Sequence, residues 1–381
     1  MNARTALDLA ALTTGWHAPA RSWLAADTLR DRAIATYATR ATRELWKYTP
    51  LNPMVEALGQ LPAQSNAAWA GIDQPGIRAT PFSALDPVGR ARLQAVLDRC
   101  LDTDRHLLAD LTLLRGADGW LIDVQGEPAA PIQLSQDAGG PSIVVLCLAP
   151  GARVHLIETQ GAAPFSARMV LADVQPGARL EHDRSAFPGV AGLWSLAQVH
   201  AGQQAEYVLR QYAQGGARAR LEVHVALNGR GAAAHLTGAY VVNNDQHLDQ
   251  QLIVEHQAAD TVSRQQFHGI GSGKGRSIFN GRIHIHPHAS RSDAWLSNRN
   301  LALHPDAEMN TKPELEIYTD DVRCAHGATV GQLDGNALFF LTARGIPAPA
   351  ARQLLAHAFL RECIAGALTD TVTPHLLGAL P

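Results

Sequence analysis

The sequence predicts a mainly β chain, with a stack of short strands at its centre and a helical part at each end, and three observations predict it. Short runs of alternating apolar and polar residues begin near Asp118; after Gly202 their starts lie roughly 13 to 16 residues apart, one strand plus one turn. The connections are often long or irregular and hold few Asn-Gly or Asp-Gly pairs, so tight antiparallel hairpins are not the obvious way to join the runs. The three-and-four helical period is confined to the first ~115 and the last ~50 residues. An even beat of strands fits a stacked β-solenoid or a large sandwich, and the connections favour the solenoid. The expected divisions are 1–115, 116–334 and 335–381.

In the first part, residues 25–45 and 87–114 carry apolar residues at helical spacings, and Pro50, Pro53, Pro62 and Pro75 divide them. Leu93, Val96, Leu97, Cys100 and Leu101 make one stripe, which reads Cys100 as a small core residue rather than a ligand. Between the helices lies RELWKYTPL, Arg43 to Leu51, with Trp46 and Tyr48 as a packing anchor at a helix end. The strand runs start with GWLIDVQG, SIVVLCL and ARVHLIET and continue to DAWLSNRNL. NALFFLTARG then returns to a helix ending at Gly345, a residue suited to a left-handed cap. A second helix follows, with proline near its first turn and Leu354, Leu355, Ala358, Phe359 and Ile364 expected on one face.

Composition removes several classes of function. With 46% apolar and 18% charged residues the chain can bury a large core, while its longest fully apolar run, Ile143 to Ala149, is far short of the ~20 residues of a membrane span. The amino terminus has no sustained apolar region of a signal peptide, and a cytoplasmic location is expected. Lysine and arginine total 32 against 35 acids, without a basic tract, so a nucleic-acid partner is not indicated. Cys100, Cys147, Cys324 and Cys363 are scattered, which suits a reducing compartment.

The most chemically capable stretch is Thr311 to Asp334, TKPELEIYTDDVRCAHGATVGQLD. Alternation puts Leu315 and Ile317 on one face of a strand and Glu314, Glu316 and Tyr318 on the other. Cys324 and His326 are two apart, so a second strand presents both on one face, next to Asp320 and Asp321. A thiolate and an imidazole can share a metal, but one such pair is incomplete against the four ligands of structural zinc and cluster sites. A second chain could complete it. In HIHIHPH, Ile283 and Ile285 fill the core while His284, His286 and His288 face out; at ~3.3 Å per residue only neighbouring pairs can chelate one ion. HGIGSGKGRS, His268 to Ser277, fails as a phosphate loop, since His268 and Gly275 stand where glycine and Ser/Thr are needed, and reads as a turn. G-x-S-x-G and H-E-x-x-H are absent. A carbohydrate-active β-helix enzyme using Asp320 and Asp321 as paired carboxylates is weakened by the 6% aromatic content.

At these residues the chain resembles the SufD branch of the SufB/SufD family, subunits of iron–sulfur cluster assembly machinery. The resemblance is specific from about Gly269 to Cys363, including FNGRIHIHPHASRSDAWLSNRNL and the final helices, and is visible again at LWKYTP; His288 and His304-Pro305 depart from the family pattern. It implies a right-handed parallel β-helix between helical parts and a non-catalytic scaffold role. It implies pairing with SufB through the end of the β-helix, with Cys324 and His326 at an interface where iron or a transient iron–sulfur cluster is held. It also implies a SufC ATPase contact on the carboxy-terminal helices, with Arg344, Gly345, Ile346, Pro347, Leu354, Leu355 and Phe359 as candidates. A homodimer of the isolated chain and a protein that only bridges ATPases stay open. Reduced flavin is associated with the assembled complex in that family, although this chain has no dinucleotide fingerprint.

Overall fold

A computed structural model describes residues 7–14, 16, 26–37, 39–61, 67–101, 107–116, 118–136, 140–161, 165–187 and 192–380. Much of the amino-terminal stretch read for a signal peptide, together with Ala25 and Pro62, lies outside them. The chain begins with α1 (Leu9–Leu12), α2 (Ala26–Tyr37), α3 (Arg40–Leu45) and α4 (Leu51–Gly59). Two short strands, β1 (Ala68–Ala70) and β2 (Ile77–Pro81), precede α5 (Pro87–Cys100) and α6 (Leu107–Arg115). Strands then follow without interruption by helix: β3 (Trp120–Val124), β4 (Ile132–Gln136), β5 (Gly140–Leu148), β6 (Arg153–Gln160), β7 (Phe165–Val174), β8 (Arg179–Ala186), β9 (Gly192–Ala201) and β10 (Glu206–Gln214). They continue as β11 (Arg218–Leu227), β12 (Ala233–Val242), β13 (His247–His256), β14 (Val262–Gly271), β15 (Arg276–Ile285), β16 (Ser292–Ala302), β17 (Glu308–Ile317) and β18 (Val322–Gly331). The chain closes with α7 (Gly335–Thr342), α8 (Ala348–Arg361) and α9 (Thr369–Gly378).

The strands form a solenoid of about seven turns. Even-numbered strands from β4 to β18 make one nine-stranded sheet with β1 at its edge, and odd-numbered strands from β3 to β17 make the other with β2 at its edge. Every neighbour pair from β3 onward is parallel, whereas β1 on β4 and β2 on β3 are antiparallel. In the turns from β3 to β18 an Asn-Gly or Asp-Gly pair occurs once, at Asn228-Gly229. Gly151, Gly177, Gln204, Gly231, Asp260 and Arg291 all have positive φ, and each donates its N–H to a carbonyl of the next turn. One left-handed residue per turn is thereby stacked on the next.

Alternation decides which residues stack inside. Leu156, His182, Leu209, Leu236, Gln265, Leu296 and His326 share one register column, and all but the last are buried. The aliphatic members of such columns contribute roughly 1.5–3 kcal/mol each. The outer face of the odd-numbered sheet is covered by the amino-terminal helices, which bury Leu93, Val96, Leu97, Cys100 and Leu101 against Ala167, Met169 and Leu171. The carboxy-terminal helices cover the outer face of the even-numbered sheet, with Leu360, Cys363, Val372 and Leu376 on Tyr212, Val241 and Ile270.

Two buried charge networks sit among these layers. Inside the solenoid, Glu158 accepts from the Arg168 guanidinium and from His182 Nε2 at 2.5 Å, with Arg184 Nε at 3.5 Å. Burial opposes the Glu158 charge, but Arg168, Arg184 and His182 together outweigh it and hold the carboxyl well below its usual range. Outside, Arg220 binds Glu222 at 2.7 Å, Asp249 at 2.6 Å and the Leu45 carbonyl at 3.1 Å, and lies 4.0 Å over the Trp46 ring. Thr49 adds a bond to Asp249 at 2.5 Å. LWKYTP is thus an anchor, and its socket is on the solenoid.

His256, fully buried, lies between Thr261 and Ser263 hydroxyls at 2.8 and 2.9 Å, and burial pushes its pKa down to about 4. The unfolded chain takes up this proton near ~6.5 and the folded chain only near 4. The stability that depends on it is therefore complete above ~6.5 and falls on acidification by on the order of 3 kcal/mol. We expect His256→Gln to flatten the dependence of urea-unfolding free energy on pH between 6.5 and 4 by about one proton. An unaltered slope in the variant would refute this.

Within the mainly helical first part, β1 and β2 start the two sheets as short antiparallel strands. Two local expectations differ from the structure. A third carboxy-terminal helix, α9, holds Pro374 in its interior, and that proline hides it from helical pattern reading. The expected stripe of α8 is split: Ala351, Ala356 and Leu360 are buried, Phe359 and Ile364 pack beside them, and Leu354 and Ala358 are exposed.

Candidate functional site at the open end of the solenoid

β17 and β18 are the last strands of their sheets, and no further turn covers them. Leu315 and Ile317 continue the columns of Ile283 and Ile285, both fully buried, yet Ile317 is 41% exposed. On β18, Cys324, His326, Ala328 and Val330 continue the columns of Ala294, Leu296, Asn298 and Asn300. These four upstream residues are buried, whereas Cys324 is half-buried and His326 exposed. Cys324 and His326 therefore share the inward face, as the period of two predicts, and no further turn is stacked on that row. A row that would be core one turn earlier is here a surface.

Burial raises the Cys324 thiol pKa, and the backbone at Ala294 opposes the rise. The thiol needs a metal or a cationic partner to ionise. Among the described residues, no third His, Cys, Asp or Glu completes a three-ligand set with Cys324 and His326. One soft sulfur and one imidazole suit a thiophilic ion or cluster whose other ligands come from elsewhere. Asp320 and Asp321 are exposed in the turn between β17 and β18.

The carboxy-terminal candidates divide into two sets. Asp334 caps α7 by accepting from Asn336 N–H at 2.8 Å, and Gly345, with φ of +84°, lets the chain leave the helix as a left-handed cap. α7 buries none of its residues: Phe339 is 73% and Phe340 54% exposed. The Arg344 guanidinium lies 3.3 Å over the Phe340 ring, and Arg344, Gly345 and Pro347 are exposed with Ile346 half-buried. On α8, Leu354 is exposed and Leu355 half-buried, while Phe359 is turned toward the solenoid. The Phe359 ring stacks on His268 at 4.5 Å, and its carbonyl accepts from His268 Nδ1–H at 2.7 Å. His268 lies inside β14, within the strand-like run RQQFHGIG, and only its contact with a segment about ninety residues away reveals its role. Buried Asp183 acts similarly, accepting from Ala367 N–H at 2.8 Å.

Residues 133–359 match the family model described as SUF system FeS cluster assembly, SufBD core domain. The chain is similar to the iron-sulfur cluster assembly protein SufD of Escherichia coli, 28% identical over 350 residues, 84% of this chain and 83% of that protein. It is 33% identical over 174 residues, 44% of each chain, to an iron-sulfur cluster assembly SufBD family protein of Mycobacterium leprae. SufD of Bacillus subtilis is 39% identical over 97 residues, 26% of this chain and 22% of that protein. No helix among the described residues is long and apolar enough to cross a membrane.

Proposed function

Because this chain belongs to the SufB/SufD family of iron–sulfur cluster assembly proteins and is SufD-like, we propose that it is a non-catalytic scaffold subunit that pairs with SufB through its open end. The observation that carries this reading is the uncovered inward row of β17 and β18. It places Cys324 and His326 among apolar residues that a second solenoid would cover, with too few ligands to close a site in one chain. A partner strand laid on β18 would satisfy its free backbone groups and bring further side chains opposite the pair. Iron or a nascent cluster, as cargo, would be held by His326 Nδ1 or Nε2 and by Cys324 Sγ together with the partner's ligands.

Unpartnered α7 and the outward edge of α8 suit a second contact, and we assign the SufC ATPase to it. Arg344, Gly345, Pro347 and Leu354 are the accessible part of that surface, Ile346 and Leu355 are half-buried, and Phe359 stiffens α8 from beneath. The nucleotide cycle of that ATPase would move the helices against the sheet on which they dock. A flavin in the assembled complex would depend on residues other than a dinucleotide fingerprint, which this chain lacks.

The test is His326→Ala in the complex co-expressed with SufB and SufC. We expect the affinity for iron to fall by at least roughly 10–100-fold, with loss of sulfide and of the visible cluster spectrum. Unchanged iron, sulfide and spectrum would overturn the ligand role and leave a protein that only bridges ATPases.

A further inference from the structure

A different group of ligating side chains stands on the outer face of the odd-numbered sheet. His284 is on β15, and in the parallel register it lies between Glu255 of β13 and Glu316 of β17. His286 follows two residues later, just past the strand end, and its ring stacks on that of His284 with centroids 4.1 Å apart and planes 12° apart. One ligating atom from each of Glu255, His284 and His286 lies within 4.8 Å of the other two, the sole such three-residue group among the described residues.

The nitrogens are placed but unused. His284 Nδ1 and His286 Nε2 are buried from solvent and have no hydrogen-bond partner. His286 Nε2 is 3.8 Å from Glu255 Oε2, and His284 Nδ1 is 3.9 Å from Glu316 Oε2, both beyond hydrogen-bond length. Leaving buried polar atoms unpaired is costly, so this spacing calls for something between them. Glu316 binds the Arg282 guanidinium, and Glu255, whose Oε2 also accepts from Gln257 Nε2–H at 2.8 Å, is the carboxylate within reach of both imidazoles. Metal bonds of ~2.0–2.1 Å at a tetrahedral angle place ligand atoms roughly 3.4 Å apart. Closing the observed gaps takes side-chain rotation without movement of the strands, whose core residues Ile283 and Ile285 are fully buried.

We propose that Glu255, His284 and His286 form a binding site for a first-row divalent transition-metal ion. Two imidazoles and one carboxylate suit zinc, cobalt, nickel or ferrous iron, whereas calcium and magnesium take oxygen ligands. The His284 side chain is 18%, Glu255 25% and His286 33% exposed, so water can fill the remaining coordination positions. The site is separate from the end-face pair: it uses the outer face of one sheet, and Cys324 and His326 the inner face of the other.

Cobalt(II) is the probe, because its visible bands report ligand type. Titrating the full-length metal-free chain with cobalt chloride is expected to give one equivalent bound at this site, with visible bands that persist in the double variant Cys324→Ser/His326→Ala and that zinc displaces. His286→Gln and Glu255→Gln, each changing a partly exposed side chain, are expected to weaken binding at least tenfold while thermal unfolding stays unchanged. Absence of these bands in the wild-type chain, their loss in the Cys324→Ser/His326→Ala variant, or undiminished affinity in His286→Gln would each overturn the proposal.

Discussion

Glu158→Ala is expected to destabilise the protein by roughly 3–5 kcal/mol or more, read as a lower urea midpoint at unchanged slope, or to prevent accumulation of folded chain. Glu158 is completely buried and, among the described residues, is the one carboxylate ion-paired with the Arg168 and Arg184 guanidiniums, themselves 2% and 4% exposed. Its removal leaves two buried positive charges without a counter-ion. His182 also loses the acceptor for its Nε2 proton, while its Nδ1 keeps the Tyr207 hydroxyl at 3.0 Å. The discriminating variant is Glu158→Leu combined with Arg168→Met and Arg184→Met. Replacing a whole buried ionic group by apolar side chains of similar size is often neutral, so this triple variant should recover most of the stability. A Glu158→Ala protein within about 1 kcal/mol of wild type would show that the network is water-relaxed and that this burial argument is wrong.

The second large effect is expected at the anchor of the amino-terminal helices. Arg220→Ala should cost roughly 3–5 kcal/mol, because Asp249 and Glu222, at 0% and 5% exposure, lose the guanidinium that neutralises both. Unlike Glu158, Arg220 also reaches across to another part of the chain, the Leu45 carbonyl and the Trp46 ring. Loss should therefore appear as faster amide exchange through α3 and α4 ahead of the strands. Arg220→Lys should not restore it, since one ammonium cannot replace the planar fork that binds Glu222 and Asp249 while lying over an indole. Equal protection of α3 and α4 in wild type and Arg220→Ala would exclude the anchoring role.

How much of this was legible in the sequence depends on the range of the interaction. The solenoid was legible because alternation and spacing are local, and each turn repeats them. The pairing of Cys324 with His326 on one face was legible for the same reason. That the face is an uncovered inner row was not, because it follows from the absence of a next turn above β18. The Glu158 network was hidden: in ARVHLIET a charged residue in an alternating run does not announce that it faces inward, and its partners come from later turns. LWKYTP was visible as an anchor, but Arg220 and Asp249 lie about 175 and 200 residues beyond the segment they hold. In HIHIHPH the neighbouring imidazoles could be paired from spacing, and Glu255 could not, since register with β13 supplies it.

The two ends of the solenoid are unequal, and the inequality limits what can be built from it. At β17 and β18 the parallel register stops with its inner row bare, so another set of strands can continue it. At the other end the sheets finish in β1 and β2, three and five residues long and reversed in direction, beside the amino-terminal helices. Short reversed strands do not template further parallel addition. Growth by stacking needs two unlike sticky ends, as in head-to-tail filaments. Among the described residues one bare parallel end is present, so a head-to-head meeting would consume it and the series would end at two solenoids. An arrangement that presents an exposed sheet edge can thus avoid fibre formation through polarity alone.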